Sequence, residues 1–193
     1  MSRKWVDAGI YRGGMEFGFE AGSYAVREVD GGDSPEDFLP VFNSNPGFLD
    51  ASTLHTGVTA FTEEEVEKFL WHNTAMENSH CLVIRSAERV VGVMALLVPH
   101  PREGQPWVGS LIVDAEEGHE RVANPVLAEL ERSLAAQGWT DVFVGPMVSM
   151  VESIGWWRSR GYESIERRLD NDKREVDVHR KRLRGFSFPD RVR

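Results

Sequence analysis

PWVGSLIVDAEEGHERVANPVLAELERSLAAQG, residues 106–138, is the stretch that decides the fold. Trp107 to Val113 is apolar and β-rich, the pattern of a central strand. Asp114 to Ala123 is polar and short. Asn124-Pro125 reads as the opening of a helix, with Asn124 at the cap and proline at the first helical position, where its missing N–H costs no ladder bond. Val126, Leu130 and Leu134 fall at i, i+4, i+8 beside Leu127 and give the helix an apolar stripe. Gly138 ends it. A strand that runs straight into a helix N-terminus is a ready anion site, because free backbone N–H groups point outward there.

A chain of 193 residues suits one domain with a full core. The reading divides it into an N-terminal extension (1–22), a domain (23–184) and a tail (185–193). The extension is rich in glycine and aromatics and has no assigned role. The net charge of −9 excludes a broad nucleic-acid footprint, which needs a basic face. Cys81 is the lone cysteine, so no intrachain disulfide forms. That fits a reducing compartment and an inert buried thiol. The longest apolar run, Val90 to Val98, is far too short to cross a bilayer, and the N-terminus lacks a signal-peptide core. The expected setting is cytoplasmic, with no membrane.

Tyr24 to Val29 alternates as a first strand. Asp33-Ser34-Pro35-Glu36-Asp37 starts a helix that ends near Asn43, and Thr62-Glu63-Glu64-Glu65 is a capping box for a second. His80 to Arg85 and Val90 to Val98 form a hairpin around Ser86 to Arg89. After the central strand and helix, Thr140 to Gly145 is a short buried strand. Ser149 to Glu152 reads as another capping box, leading a helix that Gly161 stops. Glu163 to Leu169 and Val176 to Leu183 close the chain as a hairpin around Asp170-Asn171-Asp172. The order β-α-α-β-β-β-α-β-α-β-β makes a mixed α/β sheet with helices on its faces.

That order resembles the GCN5-related N-acetyltransferase family over about Tyr24 to Leu183. Asn43-Ser44-Asn45-Pro46 resembles the segment bordering the family's acceptor site. The hairpin from His80 to Val98 looks like its second and third strands. Leu111-Ile112-Val113-Asp114 through Leu127 looks like its acyl-CoA motif, and Ser153 through Gly161-Tyr162 like its second cofactor motif. The resemblance implies splayed central strands, acetyl-CoA as cosubstrate, and transfer of acetyl to a primary amine of a small molecule or peptide. It also implies cofactor contacts from the backbones of Leu111, Ile112 and Val113, and from Ser153 and Trp157. A phosphate-holding stretch would follow, made of Gly118, His119, Glu120, Arg121, Val122, Ala123 and Asn124. Trp107, Asn43 and Phe48 would face the acceptor.

Departures from the family are specific. Its loop reads Arg/Gln-x-x-Gly-x-Gly/Ala. Matched from Val113, only Ala123 of Gly118 to Ala123 fits, and Arg121 stands in place of a glycine. Arg121 would act as a side-chain clamp on the pyrophosphate. Where the family often has a tyrosine that protonates the leaving thiolate, this chain has Trp157. Strict alternation would put Gln105, Trp107, Gly109 and Leu111 on one strand face, none of them a base. Candidate bases are then His55, Glu103, Asp114 and Glu152, each otherwise a surface residue, or water. Trp107 is either a core residue or a ring that holds a cationic acceptor. His179 reads as a residue of an exposed strand. No metal spacing occurs among the histidines. The alternative reading is an inactive fold serving as a ligand-binding or interaction module. A further alternative is a homodimer in which a neighbour's N-terminal segment closes the acceptor site.

Overall fold

A computed structural model describes residues 17–48 and 60–183. The strands are β1 (Gly18–Ala21), β2 (Tyr24–Glu28), β3 (Ser79–Ser86), β4 (Arg89–Leu97), β5 (Trp107–Val113), β6 (Asp141–Val144), β7 (Glu163–Leu169) and β8 (Glu175–Arg182). The helices are α1 (Pro35–Asn43), α2 (Glu63–Ala75), α3 (His119–Ala136) and α4 (Val151–Ser159). One sheet carries all eight strands in the order β1-β2-β3-β4-β5-β6-β8-β7. Every neighbouring pair is antiparallel except β5 and β6. The sheet thus begins with β1, drawn from the stretch read as an N-terminal extension.

Two cores lie on opposite faces. On one, Val122, Val126, Leu127, Leu130 and Leu134 of α3 and Trp157 of α4 pack against Leu82, Ile84, Met94, Val108 and Val113. On the other, Phe38, Val41 and Phe42 of α1 and Val66 and Leu70 of α2 cover Cys81, Val83, Val93 and Ile112. A third cluster, Phe143, Val176 and Val178 with Trp107 and Met147, lies at the β6–β8 end. Cys81 is buried, as the sequence suggests.

The helix starts differ from expectation in an informative way. Thr62 forms the expected capping box with Glu65. Asn124 does not cap α3, which begins at His119 with Gly118 as its cap residue and carries Pro125 inside. The apolar stripe begins at Val122 and Ala123, both fully buried. Burying that extra turn outweighs the one ladder bond proline cannot make. Met150 precedes α4 with no side-chain cap, so no capping box forms there. His179 is fully buried, because β8 lies between β6 and β7 rather than at the sheet edge.

Near α1, Asp33 leaves the capping role and accepts from Arg27 at 2.6 and 2.7 Å, from Arg85 at 2.9 Å and from the Asp30 N–H at 3.0 Å. Burial alone would raise the Asp33 pKa; the Arg27 hydrogen bonds lead the groups that outweigh it and hold it below the ordinary value. The folded pKa therefore lies under the unfolded one. The stabilisation is present above the unfolded carboxylate pKa of about 3.9 and is lost as pH falls through the depressed folded value. Asp33→Asn is expected to cost about 1–3 kcal/mol at pH 7. Melting curves against pH check this, since the gap from wild type should close in acid.

Candidate functional site

β5 is the strand around which the site forms. It pairs with β6 only at Trp107↔Phe143 and Val108↔Val144. Beyond Val108 the two strands part, and Gly109 to Val113 has a strand partner on the β4 side alone. The expected splay is present. Along Leu111 to Val113 this edge has no strand partner on the β6 side, which is where an extended ligand can add as a strand, although the Val113 carbonyl is already taken by Asn45.

Strict alternation does not hold along β5. Leu96 pairs with Val108 and Ala95 with Ser110, so two residues of β4 span three of β5. This is a β-bulge at Gly109-Ser110. It puts Leu111 on the α3 face with Val108 and Val113, and leaves Trp107 on the opposite face. The expectation that Trp107 and Leu111 share a face is therefore corrected. A lone glycine in an apolar strand was the available signal.

At the top of β5, Asp114 accepts the Glu116 N–H and binds Arg89 at 3.0 Å. It is buried, and each of its oxygens holds one of these partners. A 3-10 turn, Ala115–Glu117, leads to Gly118 at φ +80°, a left-handed conformation that favours glycine. Space around Gly118 is open. The N-terminus of α3 follows at once with no side-chain cap. The uncapped start of this helix is thus at His119 and Glu120, and Asn124 is not at it. Val122 and Ala123 are core residues, and Asn124 sits a turn and a half into the helix.

Charge at this helix start is locked in pairs. Arg121 bonds the Glu117 carbonyl at 2.7 Å and pairs with the Glu117 carboxylate, which also pairs with Arg89. Arg160 lies 3.5 Å from Glu120. Trp156 stands edge-on to His119 at 4.9 Å and to Trp157 at 4.7 Å. Trp157 is buried against Tyr162 in the α3 core and Ser153 is half-buried, one helical turn earlier. Glu152 is exposed at the start of α4.

On the opposite face, the Trp107 ring is already occupied. His100 stacks on it at 4.7 Å, Phe143 lies parallel at 6.4 Å, and the Arg168 guanidinium sits 5.3 Å from its centre. An arginine in that place takes the position a cationic acceptor would need, so the expected cation platform is corrected. Glu103 is nearly buried, bound to Arg168 at 2.6 Å and set against His100. Burial lowers the His100 pKa despite the opposing pull of Glu103. Asn43 is spent on Phe61, accepting from its N–H at 2.7 Å and donating to its carbonyl. Phe48 stacks with Phe61. Asn45, which sequence reasoning did not single out, donates to the Val113 carbonyl at 2.8 Å and ties the end of α1 to the top of β5. His55 lies outside the described residues.

Gly145 completes the floor: a Cβ there would meet the Trp107 ring at 2.7 Å. The ring is fixed on three sides, so it cannot yield cheaply. Gly145→Ala is expected to destabilise by about 1–3 kcal/mol, read as a fall in Tm with a change in tryptophan fluorescence.

This splayed, bulged sheet with α3 and α4 on one face and α1 and α2 on the other is the fold of the GCN5-related N-acetyltransferases. It superposes at a TM-score of 0.66 on an acetyltransferase from Salmonella typhimurium that modifies the N-terminal serine of a 50S ribosomal subunit protein. The two are 15% identical, and the match covers 84% of this chain and 96% of that one. An acetyltransferase from Thermus thermophilus matches at 0.63, with 12% identity, over 86% of this chain and all 100% of that one. Spermidine N-acetyltransferase from Vibrio cholerae, solved with CoA and spermine, matches at 0.60 and 11% identity, over 83% and 96%. No family model matches the sequence, and no curated protein matches it. Among the described residues no helix is long and apolar enough to cross a membrane, and no group of three or more potential ligands could hold a metal.

Proposed function

We propose that the protein is an acetyl-CoA-dependent N-acetyltransferase acting on a primary amine of a small molecule or a protein. The observation that carries this reading is the parting of β5 from β6 after two residue pairs, directly below an uncapped helix start. The shape fits a thioester arm laid along Leu111, Ile112 and Val113. The N–H groups of His119 and Glu120 hold the pyrophosphate, with Arg121 and Arg89 released from Glu117 to help. Ser153 and Trp157 border the thiol end. Asn43 and Phe48 fix the shape of the acceptor side rather than touching it with free polar groups.

Bound acetyl-CoA supplies the activated acetyl group. The protein's part is positioning and water exclusion. The acceptor nitrogen must arrive neutral; its lone pair forms the new N–C bond as the C–S bond breaks. The thiolate leaves, and the proton of the resulting ammonium passes to water. Asp114 and Glu103 are bound by arginines and Trp157 has no acidic proton to give, so no side chain is assigned as base or acid. Thiol release from acetyl-CoA, followed across a panel of primary amines and serine-initiated peptides, tests the reading. Amine-dependent release supports it, and none with any amine overturns it.

The same locked charge favours a second reading, an inactive acetyltransferase fold that binds a ligand or partner. Glu116, Glu117 and Glu120 crowd the helix start, and the arginines there are already paired. Binding of acetyl-CoA without turnover singles out this reading.

A further inference from the structure

The bulge that redirects β5 leaves one feature unexplained. Ser110 Oγ is buried and has no hydrogen-bond partner. A hydroxyl hidden from water without a partner is destabilising, and it persists most readily where a ligand completes it. Its position fits that purpose. Ser110 pairs with Ala95, between the Val93↔Ile112 pair beneath α1 and α2 and Trp107, which packs on the third cluster. It therefore sits on the face away from α3, in the gap between two apolar clusters, beside the stretch of β5 that faces the splay. Ser110 is flanked by Trp107 and Ile112, and Phe143 lies beyond Trp107. On the far side of Trp107, the carboxylates Glu103 and Glu166 are held by Arg168 and Arg102.

We propose that Ser110 is the residue that receives the acceptor amine, its Oγ accepting an N–H and turning the nitrogen lone pair toward the splay, and that the acceptor carries its primary amine on an apolar stem. This rests on the acetyltransferase reading. It also makes a demand on the free protein that the wider reading does not: Ser110→Ala should remove an unmet polar group and stabilise the fold.

The test compares wild type with Ser110→Ala in three measurements, using acetyl-CoA, 2-phenylethylamine and spermidine as probes. Without ligand, the variant should melt about 2–4 °C higher. Both proteins should show the same rise in Tm with acetyl-CoA. Wild type should acetylate 2-phenylethylamine in preference to spermidine, and the variant should lose about tenfold in kcat/KM on it. An unchanged or lower Tm in the variant shows that Oγ is satisfied in the free protein and overturns the proposal. Preference for spermidine overturns the apolar stem. A missing acetyl-CoA shift in wild type instead removes the acetyltransferase reading, while the unliganded melting comparison still decides whether Ser110 carries an unmet group.

Discussion

Arg121→Glu is expected to weaken acetyl-CoA binding by about 10- to 100-fold while leaving the fold intact. Arg121 is largely exposed and spends its charge on Glu117. Reversing it places a third acid beside Glu117 and Glu120 at the start of α3. Changing one side chain by two charges at roughly 6 Å from a doubly charged pyrophosphate alters the interaction by about 1.4–2.8 kcal/mol at high dielectric with salt present. Glu117→Gln frees Arg121 and Arg89 together and should move affinity the other way. Titration calorimetry with acetyl-CoA reads both. Unchanged affinity in Arg121→Glu removes the clamp and places the phosphate elsewhere. Since the pairs at this helix start are exposed, the variant should melt within about a degree of wild type.

Phe42→Ala is expected to give the largest loss of stability, about 3–5 kcal/mol. Phe42 is fully buried at the centre of an aromatic group, with Phe48 at 6.0 Å, Phe61 at 5.1 Å and Phe69 at 5.0 Å. Its ring joins α1, α2 and the segment leading into α2. The surrounding rings are held by backbone elements that cannot all collapse inward, so a cavity remains. For a chain of this size the Tm should fall by about 6–20 °C. A fall of only a degree or two would show that the neighbouring phenylalanines close over the gap. The change also loosens the acceptor side, because Asn43 beside it anchors Phe61. Surviving protein should therefore lose acceptor affinity more than acetyl-CoA affinity.

Much of the architecture was legible in local patterns. The Thr62 capping box, the two-residue turn between Ser86 and Arg89 and the left-handed Gly138 after α3 all act within a few residues, and sequence exposes them. What escaped depends on pairing or on competition. Pro125 is at home in a first turn, and reading it so hid the earlier stripe of Val122 and Ala123. Core burial there won over the local preference. The bulge at Gly109-Ser110 breaks the period of two that the face assignment relied on, and only the register with β4 reveals it. His179 read as exposed because β8 is polar along much of its length, whereas its insertion between β6 and β7 is a long-range fact. Among site residues, spacing could bring Leu111 and Val113 to the splay. It could not show that Asp114, Glu103 and Arg121 each hold a charged partner, since those partners come from distant parts of the chain or from the 3-10 turn just before α3.

The splay between β5 and β6 as an acetyl-CoA site is the central claim, and thermal melting with and without acetyl-CoA tests it most directly. At 100 times its dissociation constant the ligand adds about 2.7 kcal/mol, which raises the Tm by about 5–10 °C for this chain length. The account predicts that rise in wild type and a smaller one in Arg121→Glu at the same concentration. No shift at millimolar acetyl-CoA would contradict it.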